Sequence, residues 1–168
     1  MKIANSSNRI VPCLWFEKNI QEAVNFYTSI FKNSKITNTS YYGESTAKAS
    51  GIPKGSILTI SFELNGQEFV ALNGGPTFKF TEALSLMVYC KNQKELDYYW
   101  EKLSKGGDKK AQVCSWLKDK YGVSWQIFPS IMEKVLKDKD QGKVEKVMAA
   151  MMKMKKLDTK TLEKAYKS

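Results

Sequence analysis

The stretch Pro12–Phe31, PCLWFEKNIQEAVNFYTSIF, decides the fold, because it joins a strand to an amphipathic helix through a short polar link. The apolar run Arg9–Phe16 is rich in β-branched and aromatic residues, which is typical of a strand. Apolar residues then recur at helical spacing through Asn19–Phe31, and Asn19 with Glu22 resembles a capping box. We therefore predict a strand followed directly by a helix with one buried face.

The same pattern returns in the second half of the chain. Ala83–Cys90 (ALSLMVYC) indicates a strand, and Asn92 with Glu95 repeats the capping pattern ahead of a helix at Gln93–Ser104. An aromatic pair follows at the same place in both copies. Two copies of one strand–helix–strands pattern favour a duplicated βαβββ module.

Each copy continues with shorter strands separated by turn residues. In the first copy, strands are predicted at Lys35–Glu44, Ser56–Leu64 and Gln67–Leu72, with a Gly/Ser/Pro loop after the first and an Asn65-Gly66 hairpin before the last. In the second copy, strands are predicted at Gln112–Lys118 and Val123–Phe128, around a tight turn at Asp119–Gly122.

The remaining segment is helical in pattern. Ser130 with Glu133 resembles another capping box ahead of a helix at Ile131–Lys137. Apolar stripes at helical spacing follow at Val144, Val147, Met148, Met151 and Met152, and then at Leu162, Ala165 and Tyr166. We expect the methionine stripe to pack in a core, with a recognition groove as the alternative. The chain is therefore predicted to be one α+β domain with modules at 9–76 and 77–129 and a helical extension at 130–168.

The net charge of +10 raises the question of nucleic-acid binding. Arg9 is the only arginine, whereas bidentate contacts to guanine and phosphate rely mainly on arginine. From Ser130 onward there are eleven lysines and six acidic residues, alternating with apolar residues as on solvated helix faces. Nucleic-acid binding is therefore not expected, although a lysine-rich tail that binds nucleic acid or protein remains an alternative.

The chain has no histidine and three cysteines without CxxC spacing. The lack of histidine excludes Ser-His-Asp and Cys-His catalysis and the HExxH metal motif. Cys13, Cys90 and Cys114 are an odd number in apolar runs, which favours free thiols in a reducing cytoplasm. No run is long and apolar enough for a membrane span or a secretory signal, so we expect a cytoplasmic protein.

Several quoted segments together resemble one known family. They are PCLWF, EAVNFYTSIF, LNGGPTFKF, DYYWEKLSKGG, WLKDKYGVSWQIFP and VMAAMMKMKKLD. This combination resembles the PhnB-like proteins, the 3-demethylubiquinone-9 3-methyltransferase domain family of the glyoxalase/bleomycin-resistance/dioxygenase (vicinal-oxygen-chelate) superfamily. The resemblance implies that the two modules form a cupped mixed sheet around a cleft, commonly in a homodimer.

The resemblance also implies where a metal would be held. Metalloenzymes of this superfamily take ligands from the first and last strands of each module, which here corresponds to Val11, Val70, Ala83 and Gln126. Only Gln126 has a ligating side chain, and shifting each position by one residue adds no other. Because a divalent cation needs several convergent donors, we expect no metal site and no metal-dependent glyoxalase or dioxygenase activity.

Strand alternation then predicts which side chains line the cleft. Together they would form an apolar, aromatic wall suited to a small aromatic or amphipathic molecule. The predicted ligand-binding residues are Cys13, Trp15, Val70, Leu72, Ser85, Met87, Tyr89, Gln126 and Phe128. Trp116 and Phe78 are weaker candidates, and Trp100 and Trp125 are expected to pack between helix and sheet.

The favoured function is metal-free binding of such a molecule, with no cofactor. The alternative that the family name implies is methyl transfer to a quinone-like ring, with S-adenosylmethionine as cofactor. Gly74-Gly75-Pro76 begins no clear helix, so it is better interpreted as a connecting loop than as a cofactor loop. No catalytic residue is assigned, although Glu68 could serve as a base, and Lys79, Lys118 and Lys120 could attract an anionic ligand.

Overall fold

A computed structural model describes residues 10–168, so the predicted strand residue Arg9 lies outside the described residues. The chain forms two units that meet in sequence at Lys79 and Phe80. Each unit contains one four-stranded sheet and its own helices. Among the described residues, every helix is too short or too polar to span a lipid bilayer.

The first unit has a mixed sheet backed by one long helix. The sheet order is β1-β4-β3-β2, in which β1 and β4 are parallel and the other pairs are antiparallel. The helix α1 packs on β3 and β4. The elements are β1 Cys13–Phe16, α1 Ile20–Ile30, β2 Lys35–Tyr41, α2 Glu44–Ser50, β3 Ile57–Leu64 and β4 Gln67–Asn73.

The second unit repeats this topology and adds three helices. The sheet order is β5-β8-β7-β6, with β5 and β8 parallel, and α3 packs on β5, β7 and β8. The elements are β5 Leu86–Cys90, α3 Gln93–Ser104, β6 Asp108–Val113, β7 Trp116–Lys118, β8 Ser124–Pro129, α4 Ile131–Val135, α5 Gln141–Met151 and α6 Thr159–Lys167. Two copies of one βαβββ order confirm the predicted α+β class and the duplication.

The two predicted helix caps differ. Asn92 caps α3 as expected, because its Oδ1 accepts the Glu95 N–H at 2.9 Å and the Glu95 carboxylate accepts the Lys91 N–H at 2.8 Å. The prediction for Asn19 is wrong: its backbone is left-handed at φ 61° and its side chain makes no capping bond. Asparagine tolerates this conformation, which turns the chain sharply between β1 and α1. The Ser130 cap is also wrong, since Ser130 is itself helical at φ −58° and its side chain caps nothing.

Some element boundaries also differ from the predictions. The first predicted strand begins only at Cys13, the predicted strand over Lys35–Glu44 ends at Tyr41, and α2 occupies the following loop. The sequence gives α2 little signal because none of its residues is buried. The base of this loop is closed by Tyr42, whose N–H donates to Ser56 O at 2.8 Å and whose carbonyl accepts the Gly55 N–H at 2.8 Å.

The predicted strand over Gln112–Lys118 is two strands. Cys114 and Ser115 both have left-handed backbones, at φ 47° and 76°, and form the two-residue turn that joins β6 to β7, since Val113 pairs directly with Trp116. Their N–H groups donate to the carbonyls of Met154 and Lys155, both at 2.9 Å. The prediction of one continuous strand is therefore wrong, because Cys114-Ser115 lacks the Asn or Gly that marks a two-residue hairpin turn in a sequence.

The C-terminal extension packs on its own unit. Gln93 of α3 accepts both the N–H and the hydroxyl of Thr159 at 2.8 Å, and its Nε2 donates to Leu157 O at 3.1 Å. Lys156 forms an ion pair with Asp97 at 2.7 Å. In the methionine stripe, Val147 and Met151 are buried as expected, whereas Met152 is 65% exposed. Only part of the methionine stripe therefore packs in the core.

Candidate functional site

The first sheet has one covered face and one open face. Leu14, Phe16 and Ala71 are buried, as expected for residues that face α1. The residues between them in β1 and β4 therefore point to the other face, which we call open face 1. Four predicted ligand-binding residues lie there as two directly paired sets, Cys13 beside Val70 and Trp15 beside Leu72.

Open face 1 also includes residues that the sequence analysis missed. Thr59 and Ser61 of β3 pair directly with Leu72 and Val70, so they extend the same face. Thr59 Oγ1 lies 2.6 Å from Ser40 Oγ on β2, which adds a hydroxyl pair beside the apolar residues. The alternation in β3 could have revealed them, since Ile60 and Phe62 are its buried positions.

Trp15 is fixed by the glycine pair at the end of β4. Its indole Nε1 donates to Gly75 O at 2.9 Å. A Cβ added to Gly74 would lie 2.2 Å from Trp15 Cε2, so only glycine leaves room for the ring. Phe78, which is 60% exposed, meets the indole edge to face at a centroid distance of 4.9 Å. The two glycines of this loop therefore fix the position of the Trp15 ring.

Replacing Gly74 with alanine will displace the Trp15 indole. Because the added methyl group overlaps ring atoms, we expect a loss of about 1–3 kcal/mol in the free energy of unfolding, together with a shift in tryptophan emission. Denaturant titration followed by fluorescence measures both. In a Trp15→Leu background the same substitution should cost little, because the ring it would meet is gone, and a Gly74→Ala protein as stable as the parent would contradict this packing.

The second sheet has an equivalent open face, on the side away from α3, which we call open face 2. Met87, Gln126 and Trp116 lie side by side across β5, β8 and β7. Tyr89 is 43% exposed and stacks on Phe128 at a centroid distance of 6.2 Å and an angle of 26°. Met87 is 46% exposed. The face therefore presents aromatic and thioether surface to solvent.

One polar pair lies among these apolar side chains. Gln126 Nε2 donates to Ser85 Oγ at 2.7 Å. Ser85 precedes β5, so the predicted strand over Ala83–Cys90 is too long, but its side chain still reaches this face. Within residues 10–168, Gln126 Oε1 makes no hydrogen bond. This oxygen can accept a hydrogen bond from a bound molecule.

The structure thus brings the nine predicted residues onto two faces, four in the first unit and five in the second. Their role in binding stays a prediction. Phe78 and Trp116 were weaker candidates, yet Phe78 contacts Trp15 and Trp116 neighbours Gln126. Trp125 packs between sheet and helix as expected, because it is buried and its side chain points to the face of the sheet opposite to that of its neighbour Gln126.

The charged candidate residues near these strands lie close to other side chains of the same unit. Lys118 forms an ion pair with Glu82, and this hydrogen bond is the main cause that lowers the pKa of the Glu82 carboxyl. Lys120 Nζ lies 5.0 Å from the ring centroid of Tyr121. Glu68, the candidate base, stands directly opposite Glu63 on β3. A role for Glu68 as a base stays a prediction.

The four positions that correspond to metal ligands carry few donor atoms. Val11, Val70 and Ala83 offer hydrocarbon, and Gln126 offers one amide oxygen beside Met87. Within residues 10–168, no group of three or more Cys, Asp or Glu side chains converges. These residues do not fit a divalent metal site, because such a site needs several oxygen or nitrogen donors together.

Comparison with known proteins identifies relatives of most of the chain. Residues 8–128 match the model of the 3-demethylubiquinone-9 3-methyltransferase family. A Bacillus cereus structure, described as a candidate 3-demethylubiquinone-9 3-methyltransferase and PhnB protein, is 37% identical with a TM-score of 0.62, over 73% of this chain and 99% of that one. No curated protein matches the chain.

Two more distant structures share the fold alone. Protein PA1353 from Pseudomonas aeruginosa is 20% identical with a TM-score of 0.56, over 73% of this chain and 98% of that one. The fosfomycin resistance protein FosX from Listeria monocytogenes, in complex with Mn(II) and sulfate, is 18% identical with a TM-score of 0.54, over 78% of this chain and 98% of that one. The family match ends at Phe128, so α4, α5 and α6 lie beyond it.

Proposed function

We propose that this chain, which belongs to the 3-demethylubiquinone-9 3-methyltransferase (PhnB-like) family of the glyoxalase fold, binds a small planar aromatic molecule without a metal ion. The observation that carries the proposal is open face 2. There the exposed Met87 side chain lies directly beside Gln126, and the exposed Tyr89 ring follows on the same face of β5. The Gln126 amide has an oxygen available for a ligand.

The chemistry of this face favours a ring with a hydroxyl group. The Tyr89 and Trp116 rings and the Met87 thioether offer flat, polarisable surface to an aromatic molecule. Gln126 Oε1 accepts hydrogen bonds but cannot donate them, so it selects a ligand with an O–H or N–H group. A hydroxylated aromatic ring offers both a flat surface for stacking and an O–H group for the hydrogen bond to Gln126.

Binding without a metal is inferred from the side chains at the four positions that correspond to metal ligands. The FosX structure contains Mn(II), but that protein shares only the fold with this chain. Here three of the four corresponding positions are hydrocarbon, which leaves the Gln126 amide oxygen as the one side-chain donor among them. Binding must therefore rely on stacking, burial of apolar surface and one hydrogen bond.

Methyl transfer is the alternative raised by the family description. Gly74 and Gly75 are explained by their contacts with Trp15, since Gly74 leaves room for the indole ring and Gly75 O accepts its N–H. In the described chain no helix lies between Pro76 and α3, so these glycines do not form a cofactor loop that leads into a helix. We therefore favour binding over methyl transfer. Calorimetric titration with S-adenosylmethionine separates the two, since saturable heat would support the methyltransferase.

The binding proposal is tested with two probes that differ by one hydroxyl group, 2-naphthol and naphthalene. Quenching of tryptophan emission gives both affinities. Gln126→Leu should weaken 2-naphthol by about five- to tenfold and leave naphthalene unchanged, because it removes one neutral hydrogen bond. Trp116→Ala should weaken both probes by about fivefold or more, because it removes stacking surface.

The matched control is Gln21→Leu, which makes the same substitution on α1, where Gln21 Nε2 donates to Asn25 Oδ1. It should leave both affinities unchanged, as should a chelator such as EDTA. If Gln126→Leu weakens the two probes equally, the hydrogen bond is not part of recognition. If the parent protein binds neither probe, or binds only after a divalent metal is added, the proposal is wrong.

A further inference from the structure

We propose that the molecule bound on open face 2 is an anion, namely an aromatic ring that carries a carboxylate as well as a hydroxyl group. This inference rests on the proposed function and adds the chemical class of the ligand. It is based on three neighbouring side chains of this face, Ser85, Ser124 and Lys118, which we call the polar row. The row offers hydroxyl donors and an ammonium group to a negatively charged acceptor.

The strand register defines the polar row. Ser124 lies two residues before Gln126 on β8, so both side chains point to open face 2. Lys118 on β7 is the direct partner of Ser124, and the Cβ atoms of such a pair lie about 5 Å apart. On the other side, Ser85 reaches the face from just before β5 and accepts the Gln126 amide N–H at 2.7 Å. The polar row therefore lies next to Gln126.

Ser124 gives the strongest indication that the polar row contacts a ligand. The residue is only 2% exposed, yet its Oγ has no hydrogen-bond partner within residues 10–168. A buried hydroxyl group without a partner costs about 1–3 kcal/mol, and native structures leave few such groups unpaired. Ser85 Oγ accepts from Gln126, and in the described chain its own hydrogen has no acceptor. Both hydroxyl groups can therefore donate to a ligand.

Lys118 already binds a carboxylate. Its ammonium group forms an ion pair with Glu82, which lies in the turn before β5. The Lys118 side chain is only 24% exposed, whereas that of Glu82 is 60% exposed. The ammonium group therefore needs a counter-charge more than the carboxylate does, because Glu82 can return to water at little cost. A ligand carboxylate can replace Glu82 on Lys118, and Ser124 is within reach from there.

The distance between the polar row and Gln126 fits one aromatic ligand. Residues two apart on a strand are separated by roughly 6.8 Å along the strand, which is close to the length of an aromatic ring with a substituent at each end. A ring that lies along β8 beside Trp116 can place its hydroxyl group at Gln126 Oε1. Its carboxylate then lies between Ser124 and Lys118.

The test compares 6-hydroxy-2-naphthoate with its methyl ester, which keeps the rings and the hydroxyl group but has no charge. Quenching of tryptophan emission at neutral pH gives both affinities. The acid should bind about tenfold tighter than the ester, because it accepts charge-assisted hydrogen bonds from the polar row. Lys118→Met should remove this preference, and Ser124→Ala should lower it by about threefold. Glu82→Gln should raise it by about threefold, because Lys118 then has no competing carboxylate.

The matched controls alter another ion pair between a strand lysine and a glutamate, that of Lys35 and Glu63 at 3.4 Å in the first unit. Lys35→Met and Glu63→Gln change the net charge by the same amounts as the test variants, and they should leave the preference for the acid unchanged. They separate a local contact from the general attraction of a basic protein for anions. Ser124→Ala removes a hydroxyl group without a partner in the described chain, so it should fold even if Lys118→Met does not. Circular dichroism checks both.

The inference is overturned, and the proposed function is kept, if 2-naphthol binds but the acid binds no tighter than its ester. It is also overturned if Ser124→Ala keeps the full preference of the parent, or if Lys35→Met lowers the preference as much as Lys118→Met does. If the parent protein binds neither 2-naphthol nor the acid, the inference and the proposed function are both wrong.

Discussion

Asp119→Ala will lower the free energy of unfolding by roughly 3–5 kcal/mol, because it removes a buried carboxylate that accepts three hydrogen bonds. Asp119 is only 3% exposed. Its Oδ1 accepts the N–H groups of Tyr121 at 2.8 Å and Val123 at 3.1 Å, and its Oδ2 accepts the Trp125 indole N–H at 2.8 Å. Alanine leaves these donors without their acceptor, and urea titration measures the cost.

Two further variants test this explanation. Asp108→Ala removes an exposed carboxylate that accepts the main-chain N–H of Lys110 within β6, so it should cost less than about 1 kcal/mol. Trp125→Phe removes the indole donor together with part of the ring, and its effect should be smaller in the Asp119→Ala background than in the parent, because the hydrogen bond is already lost there. Additive effects in this double-mutant cycle would show that the indole bond contributes nothing.

Gly107→Ala will destabilise the protein by roughly 3 kcal/mol, because there is no room for a side chain at this position. A Cβ at Gly107 would lie 2.0 Å from Lys118 O and 3.1 Å from Asp119 Cα. These are main-chain atoms of β7 and the following turn, so they cannot rotate away as a side chain could. The Gly107 N–H also bonds to Ser104 O at 3.0 Å, which fixes the end of α3 against this turn.

The control for this substitution is Gly43→Ala. Its nearest neighbour is Thr46 Oγ1 at 4.0 Å, and its backbone conformation suits any residue. We expect a change within about 0.5 kcal/mol. Thermal unfolding compares the two variants directly, and a Gly107→Ala midpoint equal to that of Gly43→Ala would contradict the close approach of the two main chains.

The duplicated topology could be predicted because its signals are local. The apolar stripe of α1, from Ile20 to Ile30, appears in both the sequence and the buried face. Asn65-Gly66 predicts the hairpin between β3 and β4, and both residues take the positive φ that a tight hairpin needs, 49° and 83°. α3 begins and ends at the predicted residues, since its cap lies within the element itself.

The candidate site was only partly predictable. Alternation within β1 and β4 gave the direction of Trp15 and Val70, because neighbouring residues of a strand point to opposite faces. Neither alternation nor spacing could reveal that Trp15 rests on Gly74, or that Ser85 reaches Gln126 from outside β5. These contacts join residues far apart in the chain, and a pattern within one element carries no information about them.

By itself, the sequence determined the α+β class, the two modules and the covered face of each sheet, because those features depend on hydrophobic periodicity within single elements. Tertiary structure decided where β6 ends and which residue of each copy could cap its helix. At Cys114 the chain turns from β6 into β7 and its N–H finds a partner at Met154, and at Asn19 the chain requires a left-handed turn that removes the cap. Backbone groups take the best partner that the folded chain brings near, and that partner lies outside the local pattern.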